Sequence, residues 1–230
     1  MTFSTNYEMR KLSDEKLEKF FDNKSVVVVG SAPSVLINSG KNIDSFDIVV
    51  RINKIKTGFE ELIGNRTTIL YSYFGKNIRV DLNEHKIDLL MCKYPDADIR
   101  GWVDGLIHPG QCEDFQWVYE YRKGYWKYPV WIPSKSRFKK NWNKLGGYIP
   151  TTGFCAVLDI LQFSPRLVYM TGFDFFETKI HNINEKWNKK RDGGGHHFNK
   201  EYEAFKKLFR TDKRLQIDSY LTRKLLKELK

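Results

Sequence analysis

A chain of 230 residues, 41% of them hydrophobic, can bury one sizeable core and is excluded from the disordered class. Its three cysteines (Cys92, Cys112, Cys155) are widely spaced with no CxxC pair, which excludes a disulfide scaffold and a cysteine-zinc site. The net charge of +11 is spread rather than striped and accompanies no helix-turn-helix, zinc-finger or RNA-binding motif, so nucleic acid is not an expected partner.

Residues 1–8 contain no apolar run long enough for a signal peptide or membrane anchor, and a cytoplasmic location is expected. Asp14–Phe21 is predicted as a helix after a Ser13 cap, with Leu17, Phe20 and Phe21 at helical spacing. Val26–Val29 is a buried-strand signal that runs into Gly30-Ser31-Ala32-Pro33-Ser34, a loop expected to be rich in free backbone N–H groups. Such loops at the carboxyl edge of a sheet hold nucleotides, although an isolated one reads better as an ordinary turn. Further strands are predicted at 47–51, 67–72 and 87–92. The ring-rich stretch 115–148, which includes Trp117, Tyr125, Trp131 and Trp142, reads either as an insertion over the active site or as aromatic core with exposed loops.

Thr152–Phe163 is an apolar helix opening at Thr151-Thr152-Gly153, Leu167–Met170 a buried strand, and Lys200–Phe209 an amphipathic helix. The tail from Arg214 to Lys230 is predicted as one amphipathic basic helix. It either packs on the sheet with a solvated basic face or lies on an anionic membrane surface. Alternating strands and helices of this kind specify an α/β fold: a single Rossmann-like domain over 1–230, with a mostly parallel twisted sheet flanked by helices.

Chemistry concentrates in His196-His197. The preceding Asp192-Gly193-Gly194-Gly195 is a pliant segment that delivers two imidazoles to one place. An imidazole with an ordinary pKa near neutrality suits a general base, and either residue could serve. Adjacent histidines rarely chelate one ion and no third ligand is spaced for it, so a metal is not expected. His85 and His108 read as incidental.

The order of four segments adds specificity. A hydrophobic strand, a Gly-Ser loop, "IDSFDIVVRINK" and "TGFEELIGNRTT" together resemble the large sialylmotif of glycosyltransferase family 29, the sialyltransferases. Tyr148–Phe154 with Gly172-Phe173 resembles the small motif, His181 the short third motif, and His196 with Glu201 the last. The bacterial family 42 sialyltransferases are a near alternative, which Thr152-Gly153 and Gly172-Phe173-Asp174-Phe175 also fit. In animal members a disulfide joins the large and small motifs. Here the matching positions are Val26 and Ser164, so the chain resembles a bacterial or viral relative without that bridge or the membrane anchor.

The resemblance implies a GT-A-like variant of the fold and transfer of a sugar from a CMP-activated ulosonic acid to a glycan or glycolipid. The expected donor is CMP-sialic acid, with CMP-Kdo the alternative. A silent nucleotide- or nucleic-acid-binding protein of the same fold is a reading from a different class. On the resemblance, Gly30, Ser31, Ala32 and Asn53 hold ribose and phosphate, while Thr151, Thr152, Gly153, Gly172, Phe173 and Asp174 face the cytosine. His181 attends the departing phosphate, and His196 or His197 takes the acceptor's proton. Glu201 is expected to fix the local structure. No cofactor is expected: Asp96-Ala97-Asp98 spells a DxD triplet, but a single phosphate offers no diphosphate for a cation to bridge. A peripheral membrane contact through the basic tail would suit a lipid-linked acceptor.

Overall fold

The structure is a computed structural model that describes residues 11–38, 40–53, 55, 58–73, 86–95, 128–177 and 196–228. In chain order the elements are α1 (Asp14–Phe21), β1 (Ser25–Val29), a 3-10 turn (Pro33–Ile37), α2 (Gly40–Asp44), β2 (Ile48–Ile52), α3 (Glu60–Ile63), β3 (Ile69–Ser72) and β4 (Leu89–Cys92). They continue with β5 (Val130–Trp131), α4 (Lys135–Lys144), α5 (Thr152–Ile160), β6 (Leu167–Thr171), α6 (Phe198–Thr211), β7 (Leu215–Ile217) and α7 (Ser219–Lys227).

The seven strands form one sheet in the order β5-β4-β3-β2-β1-β6-β7, and every pairing is parallel. All carboxyl ends therefore lie on one edge. The chain winds outward from β1 through β5, then returns to place β6 on the other side of β1. The β1/β6 boundary is thus the topological switch point, the usual ligand crevice of an open α/β sheet.

Strand side chains alternate between faces, and here both faces are covered. Val26, Val28, Ile48, Val50, Ile69, Tyr71, Leu89 and Met91 pack with α5 in the main core. Val27, Val29 and Val49 pack on the opposite face against Val35, Ile43 and Ile63. Burial on both faces accounts for the unbroken valine run, since no position from Val26 to Val29 faces water. A buried polar knot ties α5 to the sheet and to α4. Asp159 accepts hydrogen bonds from the Tyr71 hydroxyl and from Asn141 Nδ2, both at 2.6 Å. Burial pushes the Asp159 carboxyl up to about 6.

Much of the segment that resembles the large motif braces the scaffold. Arg51 is 3% exposed, and its Nη2 donates to the Ile63 and Gly64 carbonyls at 2.8 Å each. Its Nε donates to Arg66 O at 3.0 Å and Thr67 Oγ1 at 3.1 Å. The Asp44 carboxylate accepts from the N–H groups of Asn65 at 2.8 Å and Arg66 at 3.0 Å. These bonds fix the connection from α3 to β3 with its backbone polar groups satisfied.

One expectation needs correction. The tail is not one helix: β7 extends the sheet beside β6, and α7 begins only after Asp218, whose Oδ1 caps the Leu221 N–H at 2.9 Å. Leu215 and Ile217 follow the period of a strand, and Asp218 supplies the helix start that separates them from the leucines beyond. Within the ring-rich stretch 115–148, the described part is 128–148. Trp131 is fully buried in edge strand β5, Phe138 is buried on α4, and both belong to the body of the fold. Residues 115–127 lie outside the described residues. Among the described residues, no helix is long and apolar enough to cross a membrane.

Candidate active site

The switch point is built by two glycine turns in backbone contact. Gly30 ends β1, and its N–H donates to Thr171 O at 2.8 Å; the Ala32 N–H donates to Gly172 O at 2.9 Å. A Cβ on Gly30 would stand 2.2 Å from Gly172 O, and one on Gly172 (φ +73°) would stand 2.9 Å from Gly30 O. Both positions need glycine because the two backbones touch. The same closeness corrects the expectation that Gly30 and Ala32 offer free amides to a ligand, since both donate within the fold.

Phe173 joins this crevice to the start of α5. A Cβ on Gly30 would lie 3.1 Å from the Phe173 ring, and one on Gly153 only 2.7 Å from it. The ring is therefore wedged between the Gly30 turn and the Thr151–Gly153 entrance. Asp218 secures the arrangement from behind. Its Oδ2 accepts from Thr171 Oγ1 at 2.9 Å and from the Gly172 N–H at 3.2 Å. Asp174, 2% exposed, accepts the Phe176 N–H at 2.9 Å, and the next two residues, Phe175 and Phe176, sit at φ +52° and +65°. Left-handed backbone in consecutive bulky residues is held strain, which concentrates at functional sites. Asn53, at φ +61° beyond β2, accepts from the Ser72 hydroxyl at 3.1 Å on the same edge.

The start of α6 docks on the start of α5. Glu201 is 3% exposed, and its two oxygens accept from the Thr151 N–H and the Thr151 hydroxyl, each at 2.6 Å. Thr151 caps α5, its Oγ1 accepting the Phe154 N–H at 3.4 Å. His196 Nδ1 lies 2.8 Å from Ile149 O. A carbonyl only accepts, so Nδ1 carries the proton and Nε2 keeps a free lone pair. Burial first, then the positive charge of Lys93, lowers the His196 imidazole to about 4, against the pull of the Ile149 carbonyl. The ring is neutral at physiological pH. Burial pushes the Glu201 carboxyl up to about 7, opposed by its Thr151 bonds and by Lys93. His197 caps α6: its Nδ1 accepts the Lys200 N–H at 3.4 Å, and its ring meets Tyr148 edge-on at 4.7 Å.

The crevice therefore gathers Gly30, Ala32, Gly153, Gly172 and Phe173, with Thr151, His196 and Glu201 linked to it through α5 and Asn53 on the same edge. The sequence model described as Glycosyltransferase family 29 (sialyltransferase) matches residues 3–213. The chain belongs to this family. It is a sialyltransferase-type glycosyltransferase. The fold is similar to that of a mammalian sialyltransferase solved in complex with Gal-beta-1-3GalNAc-ortho-nitrophenol, at 21% identity and TM-score 0.57 over 87% of this chain and 71% of that one. A variant of the sialyltransferase CST-II in complex with CMP is similar at 16% identity and TM-score 0.51, over 84% of this chain and 80% of that one. CstII from Campylobacter jejuni in complex with CMP-3FNeuAc follows at 14% identity and TM-score 0.49, over 84% of this chain and 78% of that one. No curated protein matches the chain significantly by sequence.

Against this family frame, His181 and the Asp96-Ala97-Asp98 triplet lie outside the described residues, as do Cys112, His85 and His108. Among the described residues, no group of three or more His, Cys, Asp or Glu could hold a metal ion. Cys155 is no nucleophile, because burial and Asp159 raise its thiol to about 12. Sequence reasoning passed over two residues. Asp218 lies inside the stretch that reads as one helix and carries no signal of its own. Lys93 follows an apolar strand, and a charge at the carboxyl end of a parallel strand was the available signal.

Proposed function

We propose that this glycosyltransferase moves sialic acid from CMP-sialic acid to a terminal sugar hydroxyl of a glycan or glycolipid, with inversion and without a metal. The observation that carries the reading is the Phe173 wedge, which makes the Gly30 turn and the α5 entrance one crevice beside the tethered His196. The membership in family 29 supports the donor class, as does the likeness to a fold solved with CMP.

The nucleotide lies along Gly30–Ala32, Asn53 and the Gly172–Asp174 turn, with the amino end of α5 directed at its anionic part. His196 Nε2 accepts the proton of the acceptor hydroxyl as that oxygen bonds to the anomeric carbon. The bond from that carbon to the phosphate oxygen breaks on the opposite face, and CMP leaves with the electron pair. One displacement of this kind inverts the centre. On the resemblance, His181 attends the departing phosphate. His197, as the α6 cap, positions the segment. Contact with an anionic membrane would use the exposed Arg223, Leu226 and Lys227 of α7.

Release of CMP from CMP-sialic acid and CMP-Kdo, measured with EDTA against a panel of neutral and acidic acceptor sugars, tests this reading. Acceptor-dependent release from CMP-sialic acid, unchanged by EDTA, is expected. Release from CMP-Kdo alone would reassign the donor, and release from neither would sink the transferase.

A further inference from the structure

Lys93 follows β4 on the carboxyl edge of the sheet and is 2% exposed, a rare burial for a lysine. Its N–H donates to Ser72 O at 2.9 Å, and its Nζ lies 4.7 Å from the centre of the Tyr94 ring. Among the described residues no hydrogen bond and no ion pair reaches that ammonium. Its charge acts on His196, Glu201 and Cys155, at the starts of α5 and α6. Glu201 makes no ion pair with it, since both carboxylate oxygens bind Thr151. An ammonium withdrawn from water with no ion pair among the described residues is costly, and such a group is kept where a ligand supplies an anion.

The position of Lys93 indicates which anion. β4 stands three strands from β1, at about 4.8 Å each or roughly 14 Å in all. That is farther than a lysine side chain spans, so a nucleotide phosphate at the β1/β6 switch point is out of its reach. The side of the cleft at His196, on which its charge acts, is the nearer one. We propose that Lys93 is a specificity-determining residue that binds a sugar carboxylate, carried by the donor sugar or by an acidic acceptor. The proposal rests on the sialyltransferase-type reading for the identity of the sugar, and the burial of an unpaired charge is independent of that reading.

Lys93→Met, which keeps the stem and deletes the charge, is the primary variant, with Lys93→Arg as its charged counterpart. Free sialic acid, an anionic sugar without a nucleotide, and CMP, a nucleotide without a carboxylate, are titrated separately into each protein. Wild type and K93R are expected to bind free sialic acid, whereas K93M loses that binding by at least tenfold and keeps CMP affinity within twofold. The melting temperature of K93M should match or exceed that of wild type, because an unpaired buried charge has been removed. In turnover, a loss of about 100-fold with every acceptor places the carboxylate on the donor, and a loss confined to acidic acceptors places it on the acceptor. Equal sialic acid binding by wild type and K93M, or none by either, overturns the proposal. So does a parallel loss of CMP affinity, or a K93M that fails to fold. A wild type that binds sialic acid through Lys93 yet transfers from no CMP-sugar would refute the transferase alone.

Discussion

With its Nδ1 proton committed to Ile149 O, His196 offers Nε2 as a base at any pH where the ring is neutral. Its substitution by Ala should lower transfer by about 10²–10⁴-fold, the range for a lost general base, while CMP still binds. Burial and Lys93 lower the ring to about 4, so the acid limb of kcat/KM should fall near pH 4 rather than near 6.5. A pH–rate profile checks this directly. The same shifts act on stability with opposite signs. His196 has a folded value of about 4 against an ordinary 6.5, so between these the unfolded chain holds the extra proton. Its contribution is complete above pH 6.5 and is lost as pH falls towards 4. Glu201, at about 7 against 4.5, keeps its proton in the folded state, so its contribution is complete below pH 4.5 and lost as pH rises through 7. The two oppose each other between pH 4.5 and 6.5. Glu201→Gln removes the second and leaves the first, so its urea midpoint should climb more steeply with pH across that window than wild type.

At the scale of elements, the crevice is a contact between two strand ends and one helix entrance. Its glycines fail in different ways. Alanine at Gly30 drives a methyl to 2.2 Å from Gly172 O, a backbone atom that the β1–β6 pairing holds in place. Alanine at Gly153 meets the edge of the Phe173 ring at 2.7 Å, and a ring can rotate or shift. Gly30→Ala should therefore lower the melting temperature far more than Gly153→Ala, by more than about 2 kcal/mol of stability against about 1 kcal/mol or less. Gly153→Ala should instead weaken CMP binding, because the displaced ring moves into the cleft. Thermal unfolding and CMP titration of both variants separate the two effects.

For the whole molecule, the charge of +11 gives anionic substrates and surfaces a favourable field. The apolar side of α7 is largely spent inside: Leu221 is buried, and Tyr220 and Leu225 pack on the core. Lys224 pairs with Glu177 at 2.6 Å and lies over the Tyr202 ring. What α7 leaves for a membrane is Arg223, Lys227 and an exposed Leu226. Binding to anionic vesicles by these residues would be weak, lost on charge reversal of Arg223 and Lys227, and abolished by salt near 0.5 M, which vesicle sedimentation can check.

Local chemistry made most of the scaffold readable from the amino acids alone. Valine runs buried on both faces, the Ser13 cap and the apolar 152–160 helix carry their signals within a few residues, and so does the motif order that marks the family. β5 and α4 escaped notice because a two-residue strand has no period and α4 has Phe138 and Trp142 as its only large apolar residues. The break between β7 and α7 was hidden because a strand and a helix rich in leucine and isoleucine run together across Asp218. The site divides along the same line. Glycines, threonines and histidines announce themselves by type and order. Only tertiary packing could bring Phe173 between Gly30 and Gly153, commit the amides of Gly30 and Ala32 to the fold, and bury Lys93 without an ion pair among the described residues. Those facts depend on distances between segments more than a hundred residues apart in sequence, which the folded sheet fixes and local propensity does not record.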